Sequence, residues 1–553
     1  MMTKMKRYLC SVNLALLLLV FLSACGRSAT PVPIAPIAGL PTGADGYPWW
    51  NDTVFYEIFV RSFYDSNGDG IGDLNGVIAK LDYLNDGDPA TTTDLGVTGI
   101  WLMPIHPAVH YHGYDVTDYY DVNPDYGTKD DFKRLVDEAH KRGIRVIIDF
   151  VMNHTSDKHP WFIQSKDRNS KYRDWYVWSD AEPRGGGWRQ AADGYYYGIF
   201  EEYMPDLNYR SPDVSAEMET VARFWLQDMG VDGFRVDAAK HLVEEGAVTS
   251  NSDSTHVWFK LFRTFYKGVD PEAVTVGEMF GDPSPVAAKY TQGDELDLGF
   301  DFALAQAFIV SARTGKADGV IQTMSVDLKI FKPGQFATFL SNHDQSRAMS
   351  QLAANTDKAK AAAALLLTAP GVPFIYYGEE IGMTGVKREG DQEVRTPMQW
   401  SGEDNGGFTT GMPWFPVNAD YAERKNVADE SGDANSVLSS YRTLIRLRND
   451  HAALRVGDSI IVDSGNDAVF AQLRVSKNEV VLVVVNLSGE EVSEFALTLA
   501  SGPLSGIYGA ASMLGKGGPS NPVVNAQGGF DDYKPVSSLP AFGSLIIQLQ
   551  PQK

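Results

Sequence analysis

The chain has 553 residues, 44% of them hydrophobic and 11% aromatic, which is enough for two or three domains around a large core. A formal net charge of −23 excludes a nucleic-acid partner, because a phosphate backbone requires clustered Lys and Arg, and it also disfavours a polybasic membrane patch. Both cysteines, Cys10 and Cys25, lie at the extreme N-terminus, so no disulfide framework supports the domains that follow.

In chain order, Lys4, Lys6 and Arg7 precede an apolar run over 14–22 that is too short for an ordinary spanning helix. The run ends in Leu22-Ser23-Ala24-Cys25-Gly26, which resembles a bacterial lipoprotein signal. That resemblance implies a signal peptide over 1–24, lipidation of Cys25, and export to a membrane at the cell surface or periplasmic face. An ordinary signal peptide or an uncleaved anchor is the alternative. Residues 25–46, rich in Ala and Pro, read as a tether.

From there strands and helices alternate. Buried strands are predicted over 54–60, 97–105, 145–152, 231–236, 273–278, 296–302, 336–340 and 373–377. Helical spacing falls over 74–84, 129–141, 215–229 (with a Ser cap), 358–367 and 437–448. Eight such repeats predict an α/β fold, a (β/α)₈ barrel built from 47–154 and 210–454. Residues 155–209 are too long for a βα loop and read as an inserted domain. After 454 the pattern turns to short alternating strands, clearest over 468–475, 479–485 and 545–549, giving a C-terminal antiparallel β-sandwich over 455–553.

Chemistry gathers where these strands end. Asp149, Asn153 and His154 follow the third strand, Arg235 and Asp237 the fourth, Glu278 the fifth, and Asn342, His343 and Asp344 the seventh. A closed barrel brings such ends to one mouth. Alone, Arg235 and Asp237 could be an ion pair on a strand edge. Three carboxylates in one pocket are costly as a structural device, and they make sense as an acid, a nucleophile and a stabiliser of positive charge. One further spacing stands out: Asp65, Asn67, Asp69 and Asp73 occupy positions 1, 3, 5 and 9 of an EF-hand-like loop, with Ile71 at position 7. Position 12 is Gly76, so the bidentate Glu is missing and the loop is no EF-hand.

The segments 149–154, 233–241, 277–278 and 339–344 resemble, in order, the four short motifs of the alpha-amylase family, glycoside hydrolase family 13. The resemblance covers the chain from about 48 to the C-terminus. It implies a retaining mechanism with Asp237 as nucleophile, Glu278 as general acid/base and Asp344 as the third carboxylate. It also implies that Arg235 orients Asp237, that His154 and His343 donate to sugar hydroxyls, and that Tyr114, in His112-Gly113-Tyr114-Asp115, is a platform under the reacting sugar. Lys240 and His241 resemble an amylase pattern at the leaving-group side. For metals, it implies Ca²⁺ in the Asp65–Asp73 loop and a second Ca²⁺ held by Asn153, Asp206 and the His241 carbonyl, with no fourth ligand identified.

The expectation is therefore an exported, lipid-anchored α-amylase cleaving internal α-1,4 bonds of starch-like glucans. Met204-Pro205-Asp206-Leu207-Asn208 resembles a form intermediate between oligo-1,6-glucosidases and neopullulanases, and 394–400 resembles the oligosaccharide-active branch. These keep a maltogenic, neopullulanase-like or α-glucosidase hydrolase, or a 4-α-glucanotransferase, as the alternative. The absence of an extra N-terminal β domain speaks against neopullulanase and for a monomer. A non-catalytic glycan-binding lipoprotein is disfavoured because all three carboxylates are present.

Overall fold

The computed structural model describes residues 39–552. The expected signal peptide, Cys10, Cys25 and the first part of the tether lie outside the described residues. Among the described residues, no helix is long and apolar enough to cross a membrane.

Eight parallel strands close into a barrel, as the sequence pattern predicts. They are β1 (Phe55–Ile58), β2 (Gly99–Leu102), β3 (Arg145–Phe150), β4 (Gly233–Val236), β5 (Val274–Gly277), β6 (Leu298–Phe300), β7 (Phe336–Thr338) and β8 (Val372–Tyr376). Phe55 pairs with Gly99 on one side and Phe374 on the other, which closes the ring. Each strand is nearly all buried, because helices cover the outside and side chains fill the inside. Trp49, Phe55, Trp101, Ile147, Val276, Phe300 and Phe374 form an interior cluster. Phe55 stacks on Phe374 with ring centroids 4.6 Å apart. This packed interior leaves the strand ends as the place where polar side chains reach solvent.

Local chemistry explains the helices. Lys129–Lys141 begins at Thr128, whose side chain accepts from the Asp131 amide in a reciprocal capping box, and buries Phe132, Leu135, Val136 and Ala139. The expected helix over 74–84 is instead two short helices, Leu74–Ala79 and Leu81–Leu84, because Lys80 leaves helical geometry between them. The helix expected from 215 begins at Pro212 after Ser211, which makes no side-chain cap; Ser215 sits inside it and accepts from the Trp258 indole. Its last turn, Phe224–Asp228, is a π-helix.

The segment between β3 and β4 carries a three-stranded sheet of Trp178–Ser179, Trp188–Ala191 and Gly194–Tyr197. At the other end of the chain, a five-stranded antiparallel sheet has the order Asp458–Ile461, Val469–Val475, Val480–Asn486, Ser544–Gln552, Ile507–Leu514. A two-stranded ribbon, Leu497–Leu499 with Phe530–Tyr533, shares a core with it through Leu473, Leu497, Phe530 and Ile547.

Candidate active site

The site is built from strand ends. Alternation along β4 puts Arg235 and Asp237 on the same face. Arg235 is 1% exposed. Its Nη1 donates to Asp237 Oδ1 at 2.7 Å and to Asp149 Oδ1 at 2.9 Å, and its Nη2 lies 3.0 Å from Glu278 Oε2. One guanidinium thus holds the carboxyls of three different strand ends. Directly after Asp237, Ala238 adopts a left-handed conformation (φ 47°, ψ 36°), an unfavourable one for a residue with a side chain. That turn lets the Ala238 amide donate to Glu278 Oε2 at 3.2 Å.

Burial pushes the Glu278 carboxyl up to about 7; Asp237 and Asp344 add to the push and Arg235 opposes it. Burial also presses Asp344 upward, but the Arg395 and Arg235 guanidiniums outweigh it and hold that carboxyl below its ordinary value. His343 is itself driven well below its ordinary value by burial, so it is neutral. The cation that matters is therefore Arg395, whose Nη2 donates to Asp344 Oδ1 at 2.8 Å. Two carboxyls in one pocket are thus driven apart, one protonatable near neutrality and one ionised.

Tyr114 OH makes a 2.6 Å hydrogen bond with His343 Nε2 and donates to Asp149 Oδ2 at 3.1 Å. His343 Nδ1 meets Glu57 Oε1 at 2.5 Å. Burial pushes Glu57 well above the usual carboxylate range. Glu57 went unnoticed in the sequence, although one carboxylate inside the apolar run of β1 was a readable signal. Arg395 was noticed only as part of a motif.

His112, Tyr114, His154, Asp237, Lys240, His241, Glu278 and Asp344 all line one cleft of about 390 Å³. Lys240 Nζ donates to the Phe280 carbonyl at 2.6 Å and lies 3.6 Å from Asp282. His241 Nδ1 pairs with the Thr249 carbonyl at 2.8 Å. Burial lowers His154 below its ordinary value, and its Nε2 is buried without a partner, so a sugar hydroxyl would satisfy it. Phe200 and Phe280, 41% and 48% exposed, also line the cleft and were not picked out from the sequence. Asn342 is buried, and its Oδ1 accepts from the Asp344 amide.

Two oxygen-rich clusters lie outside the cleft lining. In the Asp65–Asp73 loop, Asp65 accepts from the amides of Asn67, Gly68 and Gly70, and Asp73 from those of Ser66 and Gly76. Burial presses Asp65 up, but Thr409 and these amides outweigh it and hold the carboxyl low. Gly70 (φ 94°) lets the loop pack on the Met412 carbonyl, which an added Cβ would meet at 1.8 Å. Both Asp65 oxygens already accept two hydrogen bonds each, whereas Asn67 Oδ1 and Asp69 Oδ1 accept one each, so side-chain oxygens remain in the loop for a hard cation. In the second cluster Asn153 Oδ1, Asp206 Oδ2 and Glu244 Oε1 are buried without partners. Asp206 is pushed far up, by burial first and by Glu244 next. Orphaned buried oxygens of this kind fit a bound cation, and Glu244 supplies the side chain that sequence reading did not find.

The family described as Alpha amylase, catalytic domain, matches residues 57–457. Alpha-amylase 3 of Dictyoglomus thermophilum is 39% identical over 456 residues, 80% of this chain and 86% of that one. An oligo-1,6-glucosidase of Parageobacillus thermoglucosidasius is 34% identical over 520 residues, 80% of this chain and 90% of that one. Among solved structures, an alpha-amylase from H. orenii superimposes with a TM-score of 0.77 at 40% identity, covering 90% of this chain and 99% of that chain.

Proposed function

Because this chain belongs to the alpha-amylase family and is a retaining glycosidase of it, we propose that it cleaves internal α-1,4-glucosidic bonds of starch-like glucans and maltooligosaccharides. The observation that carries this reading is the rim of the cleft: Lys240 is fastened to the Phe280 carbonyl beside two exposed aromatic rings, an extended surface for the leaving portion of a chain. Aromatic faces suit sugar rings because both present apolar C–H surface with polar edges.

In this reading Glu278, protonated at the start, gives its proton to the glycosidic oxygen as Asp237 attacks the anomeric carbon. The C–O bond breaks, a covalent glycosyl–Asp237 ester forms, and the new chain end leaves. Glu278, now ionised, takes a proton from water, which attacks the same carbon and frees Asp237. Retaining enzymes hold these two carboxyls about 5–5.5 Å apart, and shared contact with Arg235 keeps them close here. Asp344, ionised beside Arg395, accepts from sugar hydroxyls. His112 and His154 hydrogen-bond the sugar and Tyr114 lies under it, while His343, fully buried with both ring nitrogens engaged by Glu57 and Tyr114, holds Tyr114 in place. Two Ca²⁺ ions belong to the proposal, one held by Asp65, Asn67, Asp69, Ile71 and Asp73, the other by Asn153, Asp206, Glu244 and His241. They would fix loops and take no part in bond cleavage.

We also propose that the mature chain acts as a monomer, exported and anchored through lipid on Cys25. Mass analysis of the N-terminal peptide from membranes tests the anchor; an unmodified thiol at residue 25 overturns it. For the reaction, starch viscosity and free-glucose release are followed together. Viscosity falling well before glucose appears is expected, and the reverse order overturns internal cleavage. A second reading, action on short oligosaccharides or transfer to a sugar acceptor, is favoured by Arg395 and Asp391, a bonded pair that lines the cleft beside Asp344. Disproportionation of maltotriose into longer products would support it.

A further inference from the structure

The loop after β2 holds a cluster of a different chemistry. His110, His112 and Asp115 bring three ligand atoms within 4.8 Å of one another. Asp115 is fully buried. His110 Nδ1 lies 2.9 Å and His112 Nδ1 4.0 Å from its two carboxylate oxygens. The two imidazole rings stack with 5° between their planes, and Tyr203 lies against His110 at 4.3 Å. The His110 amide donates to Asp115 Oδ1 at 3.1 Å, which orients the carboxylate. Two imidazole nitrogens and a carboxylate form the donor set of a zinc-type site, whereas Ca²⁺ takes oxygens only. The His110 side chain is 44% exposed, which gives an ion an entry path and a fourth position for water.

The cluster is coupled to the cleft through one atom. His112 lines the cleft, and its Nδ1 accepts from the Tyr114 amide at 3.0 Å. An ion at Nδ1 takes the lone pair that holds the Tyr114 backbone.

We propose that His110, His112 and Asp115 form a transition-metal site, selective for Zn²⁺ or Co²⁺ over Ca²⁺, whose occupation weakens sugar binding by displacing His112 and Tyr114. The coupling rests on the proposed role of these two residues; the site itself does not.

The test uses the full chain in saturating Ca²⁺, so that the oxygen-only clusters are filled. Zn²⁺ is titrated by calorimetry, and Co²⁺ by its visible absorption. One equivalent of Zn²⁺, and Co²⁺ bands of a four-coordinate nitrogen–oxygen site, are expected. KM for a maltooligosaccharide should rise severalfold with kcat unchanged. His110→Gln, outside the proposed sugar contacts, should keep the parent's kinetics without metal and bind Zn²⁺ roughly tenfold or more weakly. A variant that titrates like the parent, or no binding below millimolar Zn²⁺, overturns the site. Zn²⁺ bound with KM unchanged overturns the coupling. An enzyme that binds Zn²⁺ at these residues but does not attack α-1,4-glucans sinks the proposed function while the site stands.

Discussion

Two clusters of buried acids lie close together in the chain, and the fold treats them in opposite ways. At the barrel mouth, Asp149, Asp237, Glu278 and Asp344 surround their own cations, Arg235 and Arg395. At the junction of β3, the inserted segment and the loop after β4, Asp206 and Glu244 face each other with Asn153, and their outer oxygens are unpaired. Arg210, the arginine that acts on Glu244, spends its guanidinium on the Glu244 backbone carbonyl. Buried like charges must be neutralised from within or from solution. The mouth keeps its charges for chemistry and brings its countercharge along. The junction depends on a proton or a dissolved cation.

The comparison can be broken at four points. The largest effect is expected at the mouth. Asp237→Asn should lower kcat by roughly 10⁴-fold or more with little change in thermal midpoint, since Arg235 keeps Asp149 and Glu278. Unfolding of this variant would show the cluster to be structural. Next is pH. With Glu278 at about 7, its acid form, needed at the start, is lost as pH rises through that value. kcat/KM should then fall by about tenfold per pH unit on the alkaline side, and a profile flat to pH 9 would remove Glu278 as the acid.

At the junction, chelation should lower the thermal midpoint by several degrees, and Glu244→Gln should lessen that response. Burial raises Glu244 from 4.5 to about 7 in the metal-free chain. A raised carboxyl contributes stability fully below its unfolded value and loses it as pH climbs through the folded one. Metal-free midpoints should therefore decline between about pH 4.5 and 7, while Ca²⁺-loaded midpoints stay level. Identical curves would mean that the junction holds no ion. The smallest effect is expected in the Asp65–Asp73 loop, where amides already satisfy the carboxylates; Asp65→Asn should shift the midpoint less than Glu244→Gln does.

The same contrast explains what could be read from the sequence. Barrel strands show as apolar runs because both faces are buried, and residues at their ends fall into register once eight strands are counted. Asp237, Glu278 and Asp344 were therefore legible. The helices Asp253–Val269, Phe302–Thr314 and Asp318–Ile330 were not singled out, the last two because their apolar residues are spread around the helix without a clean stripe. Glu244 escaped because it belongs to an irregular loop, where no periodicity states which way a side chain turns. Glu57 escaped because its neighbours are 286 residues away, in His343.

The left-handed Ala238 has a consequence for anyone diversifying this enzyme. The residue beside the nucleophile is held where a branched side chain would be strained, so the tolerated alphabet at 238 is small: glycine, alanine, and the short polar residues that accept this conformation. A library built there would sample backbone geometry rather than chemistry, and would tilt Asp237 against Glu278 without altering a single charge.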